Sequence, residues 1–208
     1  NAMAVGSLIQ NDTVKKSSNF GYWLDIFAPG EDMWSTNSSG GYRNNGGTSM
    51  AAPVVAGAAA LIKSQNPNFT AKQIEERLIN SAVSVEAVND NKYQGKMGAG
   101  KVDFYNAVAN DSLPGIRMEN ILYSNGRSSN ILPGDSLLIS GEFFNYLEPS
   151  GAISVQIEEL NGNAQPLVDQ ISLSALGSLA KTDNFQDPFI FRLNQSLSTN
   201  QELEFRLR

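Results

Sequence analysis

Gly47-Thr48-Ser49-Met50-Ala51-Ala52-Pro53 decides how the first half of this chain is read. The stretch joins a Gly/Ser/Asn-rich segment, residues 37–47, to a run from Met50 to Ile62 that carries no charge before Lys63. A helix apolar on every side is expected to be buried on every side. Its alanines and Gly57 are small enough for neighbouring elements to approach its axis. Pro53 is expected in the first turn, where a missing N–H leaves no bond unmade. Thr48 and Ser49 then stand at the positive end of the helix, where free amides favour negative charge. Two readings follow. The hydroxyls cap the helix, or the Ser49 oxygen attacks a carbonyl while its own N–H holds the oxyanion.

Working outward, residues 4–9 and 23–28 read as short strands, the second closed by Pro29-Gly30, and residues 33–36 as a third. Residues 37–47 read as a loop. Thr70 with Gln73 has capping-box spacing, followed by Ile74, Leu78 and Ala82 on one face and Lys72, Glu75, Glu76 and Arg77 largely elsewhere. Asp103 is expected to cap a short helix over residues 104–109. Strands mixed with helices give an α/β reading. So few strands suggest the back half of a larger domain.

Composition narrows the chemistry. The 208 residues contain no cysteine and no histidine, with 15 basic and 21 acidic groups. Disulfides, thiolate metal sites and a cysteine nucleophile are excluded, and so is any imidazole base within this chain. A net charge of −6 argues against a nucleic-acid or anionic-membrane surface. No run approaches the roughly 18 apolar residues of a membrane span. Asn1-Ala2-Met3 is set aside as an added tag.

The motif resembles the nucleophile segment of subtilisin-like serine proteases. Leu24–Gly30 (LDIFAPG), Val55–Ile62 (VAGAAALI), Asn66–Thr70 (NPNFT) and Gly98–Asp103 (GAGKVD) resemble further segments of that family, in the family's order. The resemblance covers about residues 4–110. It implies that Ser49 is the catalytic nucleophile, with Gly47, Thr48 and Met50 around the oxyanion and nucleophile. The family's aspartate and histidine lie upstream of the serine, and the histidine cannot lie in this chain. The resemblance therefore implies a serine endopeptidase acting on polypeptide in an intact protein, extracellular or at the cell surface, with this chain alone inactive. The chain is expected to be a piece of such a protease. A naturally shortened, non-catalytic relative acting as an extracellular binding or interaction module is the alternative. A histidine-free Ser-Glu-Asp arrangement, as in sedolisins, is another, although Met50-Ala51-Ala52 is more subtilisin-like. No metal ligands and no cofactor are expected. Asp25 lies where some members hold a weak calcium ion, but Trp23 stands where that pattern has a carboxylate, and a solvated strand-end aspartate is the simpler expectation.

Residues 1–110 carry 9 basic and 9 acidic groups, while 111–208 carry 6 and 12. The texture changes at the same point, across a linker at 111–115. Residues 116–208 read as antiparallel strands at 117–124, 135–143, 152–159, 165–173, 187–193 and 202–208. The turn pairs Asn125-Gly126, Pro133-Gly134, Ser150-Gly151 and Asn161-Gly162 separate them. The expectation is an immunoglobulin-like β-sandwich acting as an accessory domain. Half of an α/β sheet should also leave a bare strand edge and a bare apolar helix face, so self-association is expected.

Overall fold

The structure, a computed structural model, describes residues 2–109, 112–198 and 200–208. The chain divides into two compact units, Asn1–Leu113 and Pro114–Arg208. The expected linker begins at residue 111, which lies outside the described residues.

The first unit is built on two parallel strands, β1 (Val5–Leu8) and β2 (Ile26–Pro29), paired Val5 to Ile26 through Leu8 to Pro29. Strand alternation sends Ile26 and Ala28 to one face and Phe27 to the other. The first face packs on helix α1 (Thr48–Gln65), helix α2 (Ala71–Ser81) and helix α3 (Phe104–Ala109) through Ala51, Val55, Ala58, Ile62, Leu78 and Ala107. The opposite face gathers Leu8, Phe27, Val85, Tyr93 and Met97. Leu8 and Phe27 are fully buried, and each such side chain contributes about 2 kcal/mol by leaving water.

Local signals behave as their chemistry requires at two helix starts. The Thr70 side chain accepts from Gln73 N–H, and the Gln73 side chain accepts from Thr70 N–H, closing the capping box of α2. Asp103 Oδ1 accepts from Asn106 N–H at 2.9 Å, which caps α3.

Elsewhere the structure corrects the sequence reading. The second strand begins at Ile26 rather than Trp23, because Leu24 N–H bonds back to Gly21 C=O and makes residues 21–24 a turn. The segment read as a loop contains a strand, β4 (Tyr42–Asn45), which forms a hairpin with β3 (Met33–Thr36). Helix α1 is buried on one face only. Ala51, Val55, Ala58 and Ile62 are covered, while Ala52, Pro53, Ala56, Gly57, Ala60 and Leu61 are exposed, because the described elements of this unit pack along a single stripe. Pro53 is the sixth residue of α1, not a first-turn residue, so the Ser49 carbonyl has no N–H four residues on to receive. Glu76 and Arg77, read as surface residues, are each 2% exposed. Glu76 pairs with Lys72 at 3.8 Å, and the Arg77 guanidinium lies over the Phe69 ring, 5.7 Å from its centroid. Helical spacing alone does not separate a buried charged position from an exposed one.

The second unit contains only strands and turns among its described residues. Strand β6 (Ser136–Asn145) pairs along its length with β5 (Ile116–Ser124) and on its other side with β10 (Lys181–Asp183) and β11 (Phe189–Leu193). Strand β8 (Ala164–Val168) extends this sheet beyond β11. A second antiparallel sheet consists of β12 (Phe205–Leu207), β7 (Ile153–Glu159) and β9 (Gln170–Leu173). Alternate residues of both sheets, including Leu137, Ile139, Phe143, Val155, Ile157, Ile171, Phe189 and Phe191, form one core. The single strand expected at 165–173 is two strands. The chain leaves one sheet after Val168 and joins the other at Gln170. Strand β10 had no sequence signal, being three residues with one half-buried side chain. Glycines 126, 134 and 162 adopt positive φ in the turns where Asn-Gly and Pro-Gly pairs placed them. Asp135 Oδ2 accepts from Asn125 Nδ2 at 3.1 Å and Leu132 N–H at 3.0 Å, bonds that hold its carboxyl below the usual carboxylate range.

Candidate active site

Helix α1 begins without a side-chain cap. Its N-cap residue is Gly47, at φ 133° and ψ 176°, and no side chain bonds to the first-turn amides. Only glycine takes that φ without strain. Thr48 and Ser49 are therefore the first and second helical residues, not caps, and both are exposed. The Gly47 carbonyl receives Met50 N–H at 2.9 Å and Ala51 N–H at 3.2 Å, whereas the Thr48 and Ser49 N–H groups have no backbone acceptor among the described residues. The Ser49 hydroxyl thus stands beside two unspent amides at the positive end of an 18-residue helix with no acidic residue in its first turn.

Gly30 sets the position of Gly47. Gly30 N–H bonds to Leu8 C=O at 2.9 Å, and Gly30 C=O receives Gly47 N–H at 2.6 Å. This relay carries the end of the β1–β2 sheet directly to the helix start. A Cβ on Gly30 would lie 2.3 Å from Ser7 Oγ and 2.7 Å from the Gly47 carbonyl oxygen, so the approach requires glycine. Sequence reading quoted Pro29-Gly30 as a strand end and missed this positioning role. The Pro-Gly pair was the available signal, but what Gly30 touches lies 17 residues away.

Met50 is half-buried as the third helical residue, between exposed Ser49 and buried Ala51. Tyr42 and Asn45 lie on β4 of the hairpin that leads into Gly47. Tyr42 and Trp34 are 75% and 71% exposed. Lys15 forms an ion pair with Glu31, and its Nζ lies 3.4 Å from where a Cβ on Gly46 would be. Arg43 on β4 and Asp32, which accepts from Asn44 Nδ2 at 3.2 Å, are also charged groups on this hairpin. With no histidine in the chain, no imidazole of its own reaches Ser49.

Asp25 is not the solvated strand-end residue that was expected. It precedes β2, is half-buried, and its Oδ2 accepts from Ala4 N–H at 2.7 Å. Its carboxylate holds the start of β1, and Trp23 beside it brings no oxygen ligand. No group of three or more His, Cys, Asp or Glu side chains suited to a metal ion occurs among the described residues. Asp12 pairs with Lys101 at 2.6 Å.

Residues 1–100 match the subtilase family (Peptidase S8). The first unit belongs to the subtilase family. The match includes Asn1-Ala2-Met3, which corrects the reading of those residues as an added tag. Met3 also packs against the core formed by Ile26 and the helices. Subtilisin BL of Lederbergia lenta is 47% identical over 89 residues, which are 43% of this chain and 33% of that protein. An alkaline protease of Alkalihalobacillus alcalophilus is also 47% identical over 89 residues, 23% of its length. This chain therefore spans a third or less of those relatives. A protease structure from Pseudoalteromonas arctica aligns with a TM-score of 0.47 and 35% identity, over 52% of this chain and 35% of that one. No helix among the described residues of the subtilase unit, or of the second, is long and apolar enough to cross a membrane.

Proposed function

We propose that the subtilase unit is the nucleophile-bearing part of a serine endopeptidase and that Ser49 is its nucleophile. The observation that carries this reading is the helix start. Gly47 takes the N-cap, so the Ser49 hydroxyl is not spent on the helix and lies exposed beside its own free amide. In the intact protein the Ser49 oxygen bonds to a peptide carbonyl carbon while its proton passes to a general base. The amine then leaves, and water resolves the acyl-enzyme. Gly47 and Thr48 shape the approach to the oxyanion, and Met50 flanks the nucleophile. The substrate is polypeptide, the location extracellular or at the cell surface, and no cofactor takes part.

A histidine base comes from outside these 208 residues, which contain none. Removing triad partners from a subtilisin costs about 10⁴–10⁶ in kcat, so we infer that this chain alone does not hydrolyse peptides. A fluorophosphonate probe tests both statements. Incubated with this chain, it should label Ser49 no faster than it labels the other serines. In a longer form that supplies an aspartate and a histidine, labelling and hydrolysis should appear together and vanish in Ser49→Ala. Brisk labelling of the isolated chain would refute the inactivity. Hydrolysis that survives Ser49→Ala would refute the assignment.

We also infer that residues 116–208 form an immunoglobulin-like accessory sandwich, a reading supported by two antiparallel sheets closing on one core. The exposed stripe Ala52, Pro53, Ala56, Gly57, Ala60 and Leu61 supports self-association of the isolated chain. Light scattering should show mass rising with concentration, and Ala56→Glu should return the chain to monomer. A monomer at every concentration would end this idea.

A further inference from the structure

Three Asn-Gly pairs occur in the chain, at Asn45-Gly46, Asn125-Gly126 and Asn161-Gly162. Such a pair has its own chemistry. The glycine nitrogen attacks the asparagine Cγ, ammonia leaves, and a five-membered succinimide forms. Water then opens the ring at either carbonyl and gives aspartate or isoaspartate, the latter with an added methylene in the backbone. Water is the only co-reactant. A following glycine offers least obstruction because it has no Cβ. Whether the reaction proceeds in a folded protein depends on whether the side-chain amide can turn towards that nitrogen.

The environments of two of these pairs are opposite. Asn125 is fully engaged. Its Oδ1 accepts from Arg127 N–H at 3.0 Å and Ser128 N–H at 2.9 Å, and its Nδ2 donates to Asn130 C=O at 3.2 Å and Asp135 Oδ2 at 3.1 Å. The Gly126 N–H is also held, by Ser124 Oγ at 3.4 Å. Asn45 ends strand β4, and Gly46 after it is exposed. The Gly46 N–H has no backbone acceptor among the described residues. The hydrogen bond recorded for the Asn45 amide is the one its Oδ1 accepts from Arg43 Nε, at 2.9 Å. That bond favours reaction, because negative charge develops on Oδ1 as the nitrogen attacks and a cationic donor already points at it.

We infer that Asn45-Gly46 is a self-modification site, converting to aspartate and isoaspartate in the folded chain while Asn125-Gly126 is protected. Asn45 lies two residues before Gly47, whose N–H to Gly30 C=O contact sets the start of α1. A longer backbone at residue 45 displaces that start. The modification therefore retires the site with age, a consequence that rests on the reading of Ser49 as nucleophile, whereas the modification itself does not.

The test is incubation of the whole chain in ¹⁸O-water at mildly alkaline pH, followed by peptide mass mapping. Breaking the four hydrogen bonds of the Asn125 amide before it can turn slows Asn125 by at least about 30-fold relative to Asn45, the factor that corresponds to two such bonds. In concentrated urea, where neither environment persists, the two rates should converge. Arg43→Gln should slow residue 45 without changing residue 125. Equal rates in the folded chain, a ratio that survives in urea, or no effect of Arg43→Gln would each overturn the inference. Probe labelling plays no part in this measurement, so failure of the Ser49 assignment would leave it standing.

Discussion

Gly100→Ala strongly destabilises the subtilase unit, lowering its unfolding midpoint in urea, and leaves the second unit unchanged. Gly100 sits at φ +106°, and a Cβ there would lie 2.3 Å from the Val83 carbonyl oxygen and 2.8 Å from its carbon. Both neighbours are backbone, so no side-chain rotation relieves the collision. The segment cannot drift away either. Gly100 C=O receives Phe27 N–H at 2.7 Å, Lys101 and Val83 exchange two bonds at 2.8 and 2.9 Å, and Val102 N–H reaches Phe27 C=O at 2.8 Å. This is how the residues after α2 close onto β2. A left-handed alanine costs about 1–2 kcal/mol and the backbone overlap about 1–3 kcal/mol more. The sum, about 2–5 kcal/mol, is a large fraction of the stability of a unit this size. All α-helices among the described residues lie between Thr48 and Ala109, so the helical far-UV signal in a urea titration reports this unit alone. A wild-type midpoint in that signal would contradict the argument.

The second unit has an equivalent weak point in Asn145, which is 1% exposed at the end of β6. Its Oδ1 accepts from Gly115 N–H at 3.0 Å and Leu147 N–H at 3.3 Å. Its Nδ2 donates to the carbonyls of Glu148 at 2.7 Å and of Leu176 and Gly177 at 3.2 Å each. One amide thus ties together three separate backbone segments. Asn145→Asp keeps the shape, removes both donors and puts a buried charge against three carbonyl oxygens. A loss of about 3–5 kcal/mol is expected. The sign of its pH dependence is also set. Burial against carbonyls raises the folded-state pKa of the new carboxyl above its unfolded value. The penalty is therefore greatest at neutral pH and shrinks as pH falls and the acid regains a proton to donate. Hydrogen exchange at Gly115 and Leu147 checks this directly. Protection equal to wild type at neutral pH would show that the amide is not the tie described.

Much of this was legible from residues close together in the chain. The capping box at Thr70 and Gln73, the Asp103 cap and the turn glycines at 126, 134 and 162 are local, because each depends on contacts within about four residues. Strand β4 was hidden because Tyr42–Asn45 has no buried face to produce alternation. The burial of Glu76 and Arg77 was hidden because nothing local marks where a charged side chain meets its partners. The division of residues 164–173 between two sheets was hidden because both halves are β-rich, and only pairing partners separate them.

For the candidate site, the amino-acid order alone placed a serine at a helix start, excluded any histidine base in this chain, and carried a resemblance to the subtilases, the family that residues 1–100 match. What it left open was whether that serine caps the helix or stands free. Only the folded chain decides this. Gly47 takes the N-cap because Gly30, brought to it by the parallel pairing of β1 and β2, receives its N–H, an approach that a side chain on Gly30 would block, and because the φ of 133° this requires at residue 47 suits only glycine. Hydrogen bonds between residues so far apart in sequence form only once the sheet exists, and that is why the helix start could be located from the sequence but its use could not.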